Sequence, residues 1–319
     1  MGNLRGFLGL LTLLILLDCT KLEIIDSTAT TTTDYSFTLG SFNVQNYGTS
    51  KSSHSAVMKI LVKIVSNYDL FAMQELEQTI DQASTNTGVV IRDFLDRMNA
   101  ANSDAYALVA SPKVDTTEQY IFLYKKALFK VISSTVYSDP NSKFARPPFI
   151  LRLKHLASAE EFYLVTIHTK PSAATAEIYA LEEVADSIKN VDQDVIFLGD
   201  FNSDGTYFNE TIGWPAFNLI KQGYTNLIAD NVDTTVATGN SYTYDRIMIS
   251  PSLNDNVVSN TAKAFYFDDT GLGGYDLSEI QTEGCSSPTY ISNCPASVND
   301  AAKEVSDHYP VQVILKMTP

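Results

Sequence analysis

Apolar and polar residues alternate over residues 35–44, the period of a half-buried strand. The period lengthens over 53–66, where Val57, Ile60, Leu61, Ile64 and Val65 recur at helical spacing and serines are available as caps. Residues 69–74 predict a short apolar strand ending at Glu75, and 89–98 a second amphipathic helix. Residues 106–110, 119–124, 129–136, 149–153 and 162–168 read as strands. A helix over 173–188 and an apolar strand over 194–200 follow. Residues 214–221 read as a short helix, and 242–249 and 311–315 as late strands. Between those two, 267–305 is rich in Gly, Asp, Ser and Asn and reads as a long loop. No internal repeat and no mid-chain linker is visible. Many strands with helices interspersed predict two packed sheets with helices outside, in one domain.

The chain has 319 residues, 45% of them hydrophobic and 18% charged, which suits a soluble protein with a sizeable core. A net charge of −15 excludes a protein that grips nucleic acid through a broad basic surface. It leaves open a polyanion reached through bound cations. Residues 1–20 read as a secretory signal, with Arg5 before an apolar run over 7–17. That run is short for a membrane span, and no other stretch is long enough. The expected layout is a signal over 1–20, a Thr-rich mobile lead-in over 21–34 and one domain over 35–319, in a secreted or lumenal protein. Cleavage near Cys19 leaves Cys285 and Cys294, expected to pair and close a short loop. Asn209-Glu210-Thr211 is a glycosylation sequon.

Several predicted strands end in groups that are costly to bury without partners. They are Asn43, Glu75, His168, Asp200 with Asn202, Asp245 with Arg246, and Asp307 with His308. Two of the chain's four histidines stand at these junctions. Asp and Asn at the tip of an apolar strand, as in Gly199-Asp200-Phe201-Asn202, are hard oxygen donors suited to Mg²⁺ or Ca²⁺. Each group taken alone has a plain reading: a turn residue, a satisfied histidine, a local Asp245–Arg246 ion pair. If the strands share one sheet edge, the groups line one cleft.

Ser41-Phe42-Asn43-Val44, Gln74-Glu75, His168-Thr169-Lys170-Pro171, Gly199-Asp200-Phe201-Asn202, Tyr244-Asp245-Arg246-Ile247 and Ser306-Asp307-His308-Tyr309-Pro310 follow one another in this chain. In these segments, from about residue 37 to 315, the chain resembles the secreted deoxyribonuclease I family, within the endonuclease/exonuclease/phosphatase superfamily. The resemblance implies a four-layer α/β/β/α sandwich around two central, mainly antiparallel sheets, an α/β fold classed by some schemes as α+β. It implies a divalent-metal-dependent endonuclease that hydrolyses DNA. Glu118 is then expected to orient His168, and Asp245 to orient His308. An acidic partner fixes an imidazole tautomer and raises its pKa. His308 is expected as the base and His168 as the acid. Glu75, with Asn43, Asp200 and Asp307, is expected to hold Mg²⁺, with Mn²⁺ able to substitute. Arg146 and Asn202 are expected on phosphate, and Asp233 and Thr235 at a structural Ca²⁺ site. DNA is the expected partner of a monomer without stable membrane association once the signal is removed; no protein partner is implied.

The chain also departs from the family pattern. Glu77 stands where the family has an Arg that contacts the minor groove, and no groove-contacting Tyr occurs near Thr116. Pro147 replaces an acid of a second calcium site. The family's usual cysteines are absent, and the Cys285–Cys294 loop is extra. The rival readings are a phospholipid phosphodiesterase of the sphingomyelinase kind, or a phosphatase, in the same superfamily. A third is an inactive binding module, which would not need both histidines with both acid partners.

Overall fold

The structure, a computed structural model, describes residues 35–189, 194–286 and 295–318. The expected signal and lead-in lie outside the described residues. So does Cys294, and with it the expected disulfide.

The alternation seen in the sequence builds two six-stranded sheets among the described residues. The first has the spatial order β11 (Lys263–Ala264), β12 (Val311–Met317), β1 (Tyr35–Tyr47), β2 (Leu70–Glu77), β4 (Glu118–Lys125), β3 (Tyr106–Ala110). The second runs β5 (Phe129–Val136), β6 (Phe149–His155), β7 (Glu161–His168), β8 (Val195–Asp200), β10 (Asp245–Ile249), β9 (Thr225–Asn226). In each sheet only the central pair is parallel, β1 with β2 and β7 with β8. The other pairings are antiparallel, as expected. Parallel neighbours need a crossover. Helices α1 (Thr49–Ser52) and α2 (Ser55–Val65) supply it in the first sheet, and α4 (Ala174–Lys189) in the second. The two sheets therefore share a plan that the sequence does not display as a repeat.

Three apolar layers separate the four structural ones. Phe37, Leu39, Leu70, Phe122, Leu164, Ile196, Leu198, Ile247 and Val313 fill the space between the sheets. Outside the first sheet, Phe42, Phe71 and Met73 pack with Leu61 and Ile64 of α2 and Phe94 of α3 (Val89–Ala101). Outside the second, Val165 and Phe197 pack with Ile178, Leu181 and Val184 of α4. This is the expected α/β/β/α sandwich.

Three expected elements are corrected. Residues 214–221 hold parts of two short helices, α5 (Glu210–Ala216) and α6 (Asn218–Lys221). Pro215 lacks a donor, and Phe217 is extended between them. The strand expected over 242–249 begins only at Asp245. The expected loop over 267–305 contains α7 (Ser278–Ser286) and α8 (Val298–Val305). Among the described side chains each buries only a few, Ile280 from α7 and Ala301, Ala302 and Val305 from α8, which is too sparse a pattern to stand out. Ser297 caps α8 by accepting from the Asp300 N–H at 3.1 Å.

Candidate active site

The inward-facing rows of the sheets start apolar and finish polar at a common end. In β1 the row is Phe37, Leu39, Ser41, Asn43; in β7 it is Phe162, Leu164, Thr166, His168. In β8 it is Ile196, Leu198, Asp200, and in the antiparallel β10 and β4 it ends at Asp245 and Glu118. Strand geometry sends every second side chain to one face, so the pattern that makes the core also delivers the cleft. Asp200 sits beside His168 on one side and Asp245 on the other. Gly199 makes this approach feasible: its φ is 141°, and a Cβ there would lie 2.1 Å from the Ile167 carbonyl oxygen.

Two imidazole–carboxylate pairs face each other across Asp200. His168 Nδ1 lies 2.8 Å from Glu118 Oε1, and His308 Nδ1 lies 2.7 Å from Asp245 Oδ2. Their free Nε2 atoms stand 3.5 and 3.6 Å from the same atom, Asp200 Oδ2. Burial works against a charge on His168, but the hydrogen bond to Glu118 and the charge of Asp200 outweigh it and raise its pKa. Burial opposes charge on His308 too, and the carboxylates of Asp245, Asp200 and Asp307 raise it well above the usual histidine value. Asp200 is held low: burial pushes it up, and the two imidazoles pull it down further.

Glu75 is aimed by a bulge. The register of β2 shifts against β4 between Met73 and Leu76, and Glu75 adopts φ 61°, a left-handed conformation costly for a non-glycine residue. Its Oε1 accepts from Asn43 Nδ2 at 2.8 Å, and its Oε2 from the Asn46 N–H at 2.9 Å. Asn43 Nδ2 also donates to Asp200 Oδ2 at 3.0 Å, while its Oδ1 accepts from the Gln45 N–H. In this arrangement Asn43 ties two carboxylates together with N–H donors. Asp307 Oδ1 is buried with no hydrogen-bond partner among the described residues, 3.8 Å from His308 Nε2. Burial raises the Asp307 pKa, and Glu75 and Asp200 add to the rise while His308 opposes it. An orphaned carboxylate oxygen among like charges fits a hard divalent cation. Ligand atoms of Asp200, Asp245 and His308 also lie within 4.8 Å of one another. In that trio His308 and Asp245 are already committed to each other, whereas Glu75 and Asp200 both act on Asp307 as like charges, with no imidazole among the described residues bonded to any of the three.

The remaining expected residues are placed as follows. Asn202, at φ 46°, gives its N–H to Asp200 Oδ1 at 2.8 Å and one amide hydrogen to the Thr169 carbonyl at 3.0 Å. Arg146 lies behind the His168 pair. It donates to the His168 and Thr169 carbonyls, both at 2.9 Å, and its Nε is 3.3 Å from Glu118 Oε2. Asp233 and Thr235 are brought together in a turn, with Asp233 Oδ1 accepting from Thr235 N–H at 3.0 Å and Oγ1 at 2.9 Å. The backbone of Thr235 bridges to His308, so this turn braces the His308–Asp245 pair. Asp245 and Arg246 are not a local ion pair. Adjacent strand positions send Asp245 inward to His308 and Arg246 outward to Glu210 and Asp230.

Other supporting side chains were assigned no role from the sequence, although Ser41, Gln74 and Ser306 lie within its motifs. Gln74 Nε2 links the sheets by donating to Ser41 Oγ at 3.1 Å and Thr166 Oγ1 at 2.8 Å. The Tyr120 hydroxyl accepts from the His168 N–H at 3.0 Å. Ser306 Oγ donates to the Asn43 carbonyl at 2.7 Å. The parity of the inward rows is the signal that would have found Ser41, Thr166 and Tyr120.

Fold and site together define an endonuclease/exonuclease/phosphatase protein. The family model of that description matches residues 40–308, and the chain belongs to that family. Within it, the chain falls in the deoxyribonuclease I branch. Deoxyribonuclease-1 of Oryctolagus cuniculus is 31% identical over 293 residues, covering 88% of this chain and 92% of the relative. Deoxyribonuclease-1-like 2 of Mus musculus is 31% identical over 288 residues, covering 87% and 91%. Among solved structures, the human Nocturnin catalytic domain aligns with a TM-score of 0.56 at 14% identity, over 89% of this chain and 97% of its own. An endonuclease/exonuclease/phosphatase family protein from Bacteroides thetaiotaomicron aligns at 0.55 and 17%, over 89% and 99%. These structural likenesses speak for the fold.

Proposed function

We propose that the chain is a divalent-metal-dependent endonuclease that hydrolyses DNA phosphodiester bonds and leaves the cell through the secretory pathway. The observation that carries the chemistry is the convergence of two imidazole–carboxylate pairs on Asp200 Oδ2. Displacement at phosphorus needs a proton taken from the attacking water and another given to the departing oxygen. The water oxygen bonds to phosphorus as the bond to the 3′ oxygen breaks. His308 Nε2 takes the water proton, and Asp245 stabilises the imidazolium that forms. His168 Nε2 gives its proton to the 3′ oxygen, with Glu118 holding the ring. The second amide hydrogen of Asn202 and the remaining donors of Arg146 would be the ones offered to phosphate. Glu75, Asp200 and Asp307 would hold the cation, which when bound offsets these carboxylates, eases His308 toward its neutral form and neutralises charge on the phosphate. Asp233 and Thr235 would hold a structural Ca²⁺. Secretion is supported by the signal pattern of residues 1–20, and the described residues include no helix long and apolar enough to cross a membrane.

Purified protein is expected to nick plasmid DNA with roughly millimolar Mg²⁺, Ca²⁺ or Mn²⁺, the range of weak carboxylate sites. Excess EDTA is expected to stop it. Full nicking in EDTA would remove the cation from the mechanism. Parallel assays on RNA, sphingomyelin and a small phosphomonoester test the rivals; lipid cleavage without DNA cleavage would make this a phospholipid phosphodiesterase.

Glu77 sets how firmly duplex is held. Burial raises its pKa, and so do Glu75, Glu118 and Asp115, which marks a concentration of negative charge where DNA would lie. Glu77→Arg is expected to lower KM for duplex DNA about fivefold at low salt, with the gain fading toward roughly 0.2 M salt as charges are screened. A KM that does not respond to salt in the variant would place Glu77 away from the DNA path.

A further inference from the structure

Lys51 has a largely buried ammonium group that the chemistry above does not use. It donates to three main-chain carbonyls: Val44 at 2.9 Å, Gln45 at 2.6 Å and Val305 at 3.0 Å. An ammonium has three hydrogens, so all are committed and none is left for substrate. Two of the carbonyls belong to the tip of β1, and the third closes α8. These segments carry opposite sides of the carboxylate cluster. On one side, Gln45 and Asn46 both adopt left-handed conformations, at φ 45° and 50°, and the Asn46 N–H binds Glu75 Oε2. On the other, Val305 is followed by Ser306 and by Asp307, with its orphaned Oδ1. Burial pushes the Lys51 ammonium down to about 8, against the pull of Asp307, Glu75 and Glu304. Its charge therefore sits close behind both carboxylates.

We propose that Lys51 is a positioning residue, tying the tip of β1 to the end of α8 and so fixing the spacing of Glu75 and Asp307 at which a divalent cation is held. The proposal rests on the cation-dependent reading above. Position and charge predict opposite signs on removal. Losing the tether lets the two carboxylates drift and weakens the cation, whereas losing only a nearby positive charge tightens it.

The test is calorimetric titration of the full chain with Mn²⁺, using Glu75→Gln to identify the heat that belongs to the cleft. Lys51→Met is expected to weaken that binding about tenfold, the size typical of residues that orient metal ligands. Lys51→Gln keeps two donors and no charge, and is expected to fall between, about threefold weaker. Unchanged or tighter Mn²⁺ binding in either folded variant overturns the proposal; should Lys51→Met fail to fold, Lys51→Gln decides. A wild-type protein with no Glu75-dependent heat would instead overturn the cation-dependent reading itself, and the role of Lys51 with it.

Discussion

Replacing His308 or His168 by alanine lowers turnover on plasmid DNA by about two orders of magnitude or more, the usual size of a lost acid–base group. Both variants are expected to fold. Each side chain lies at the rim of the inter-sheet core, and the cleft it leaves opens to water. The carboxylate partners differ after truncation. Glu118 keeps Arg146 at 3.3 Å, whereas Asp245 is fully buried and loses its His308 partner at 2.7 Å. Burial already pushes the Asp245 carboxyl up to about 6, with His308 pulling it down. Without His308 it rises further and is protonated near neutral pH. The His308 variant thus loses the proton carrier and its partner's charge together, and is expected to be the more damaged. Steady-state kcat on supercoiled DNA, with folding checked by circular dichroism, measures the effect. Turnover like the wild type in either folded variant would reject that histidine's part.

The same pair of variants separates base from acid. A DNA substrate with sulfur in place of the scissile 3′ oxygen leaves as a thiolate and needs no proton. On that substrate His168→Ala is expected to regain most of its lost rate, while His308→Ala stays slow. The opposite result would exchange the roles. Exchange has a physical basis, because Asp245, Asp200 and Asp307 all favour a proton on His308 in the cation-free cleft.

Much of this cleft was legible along the chain because one physical rule writes both core and site. Inward positions of a strand alternate, so the parity that reads Phe162 and Leu164 as core also points His168 into the cleft. The longer strands and the three long helices α2, α3 and α4 followed from periodicity for the same reason, whereas the two-residue strands β9 and β11 did not. What the chain could not display is which tips meet. Asn43 and Asp200 are 157 residues apart and share a hydrogen bond, and Asp200 Oδ2 lies between the two histidine Nε2 atoms. Alternation does not announce its own interruption either. The bulge that turns Glu75 into the cleft is a backbone event, visible only once β2 is paired with β4. Helices α7 and α8 were hidden because they bury too little to stamp a period on a polar segment. The Asp245–Arg246 neighbours misled in the other direction: adjacency suggested a pair, and the pleat sends them to opposite faces.

Arg246 is the residue whose loss is expected to cost the fold most. It is fully buried, outward of the second sheet, with its guanidinium 5.2 Å from the Trp214 ring centre. It binds Ser203 Oγ at 2.7 Å, the Ile228 carbonyl and Asp230 at 2.8 Å, and the Glu210 carboxylate. It thus anchors the segment after Asn202 to α5 and to the Asp230 turn. Removing one partner of a buried pair typically costs about 3–5 kcal/mol. Asp230 is 49% exposed and can relax into water, so the lower end, about 3 kcal/mol, is expected for Arg246→Met. Glu210, at 17% exposure, cannot. Burial holds its carboxyl up at about 7 even with Arg246 pulling it down, against an ordinary 4.5. The sign follows. A carboxyl whose folded pKa is raised keeps its proton in the folded chain after the unfolded chain has lost it, so its contribution falls as pH rises from the unfolded value through the folded one. Without Arg246 the folded pKa climbs further, so the loss in Arg246→Met is expected to be larger near pH 8 than near pH 5. Adding Glu210→Gln removes the orphaned charge and is expected to return about 1–2 kcal/mol near pH 8 and little near pH 5. Denaturant midpoints at the two pH values, with the slope unchanged, measure both. A loss under about 1 kcal/mol, or a double variant no more stable than Arg246→Met near pH 8, would mean that the guanidinium fills space there rather than balancing charge.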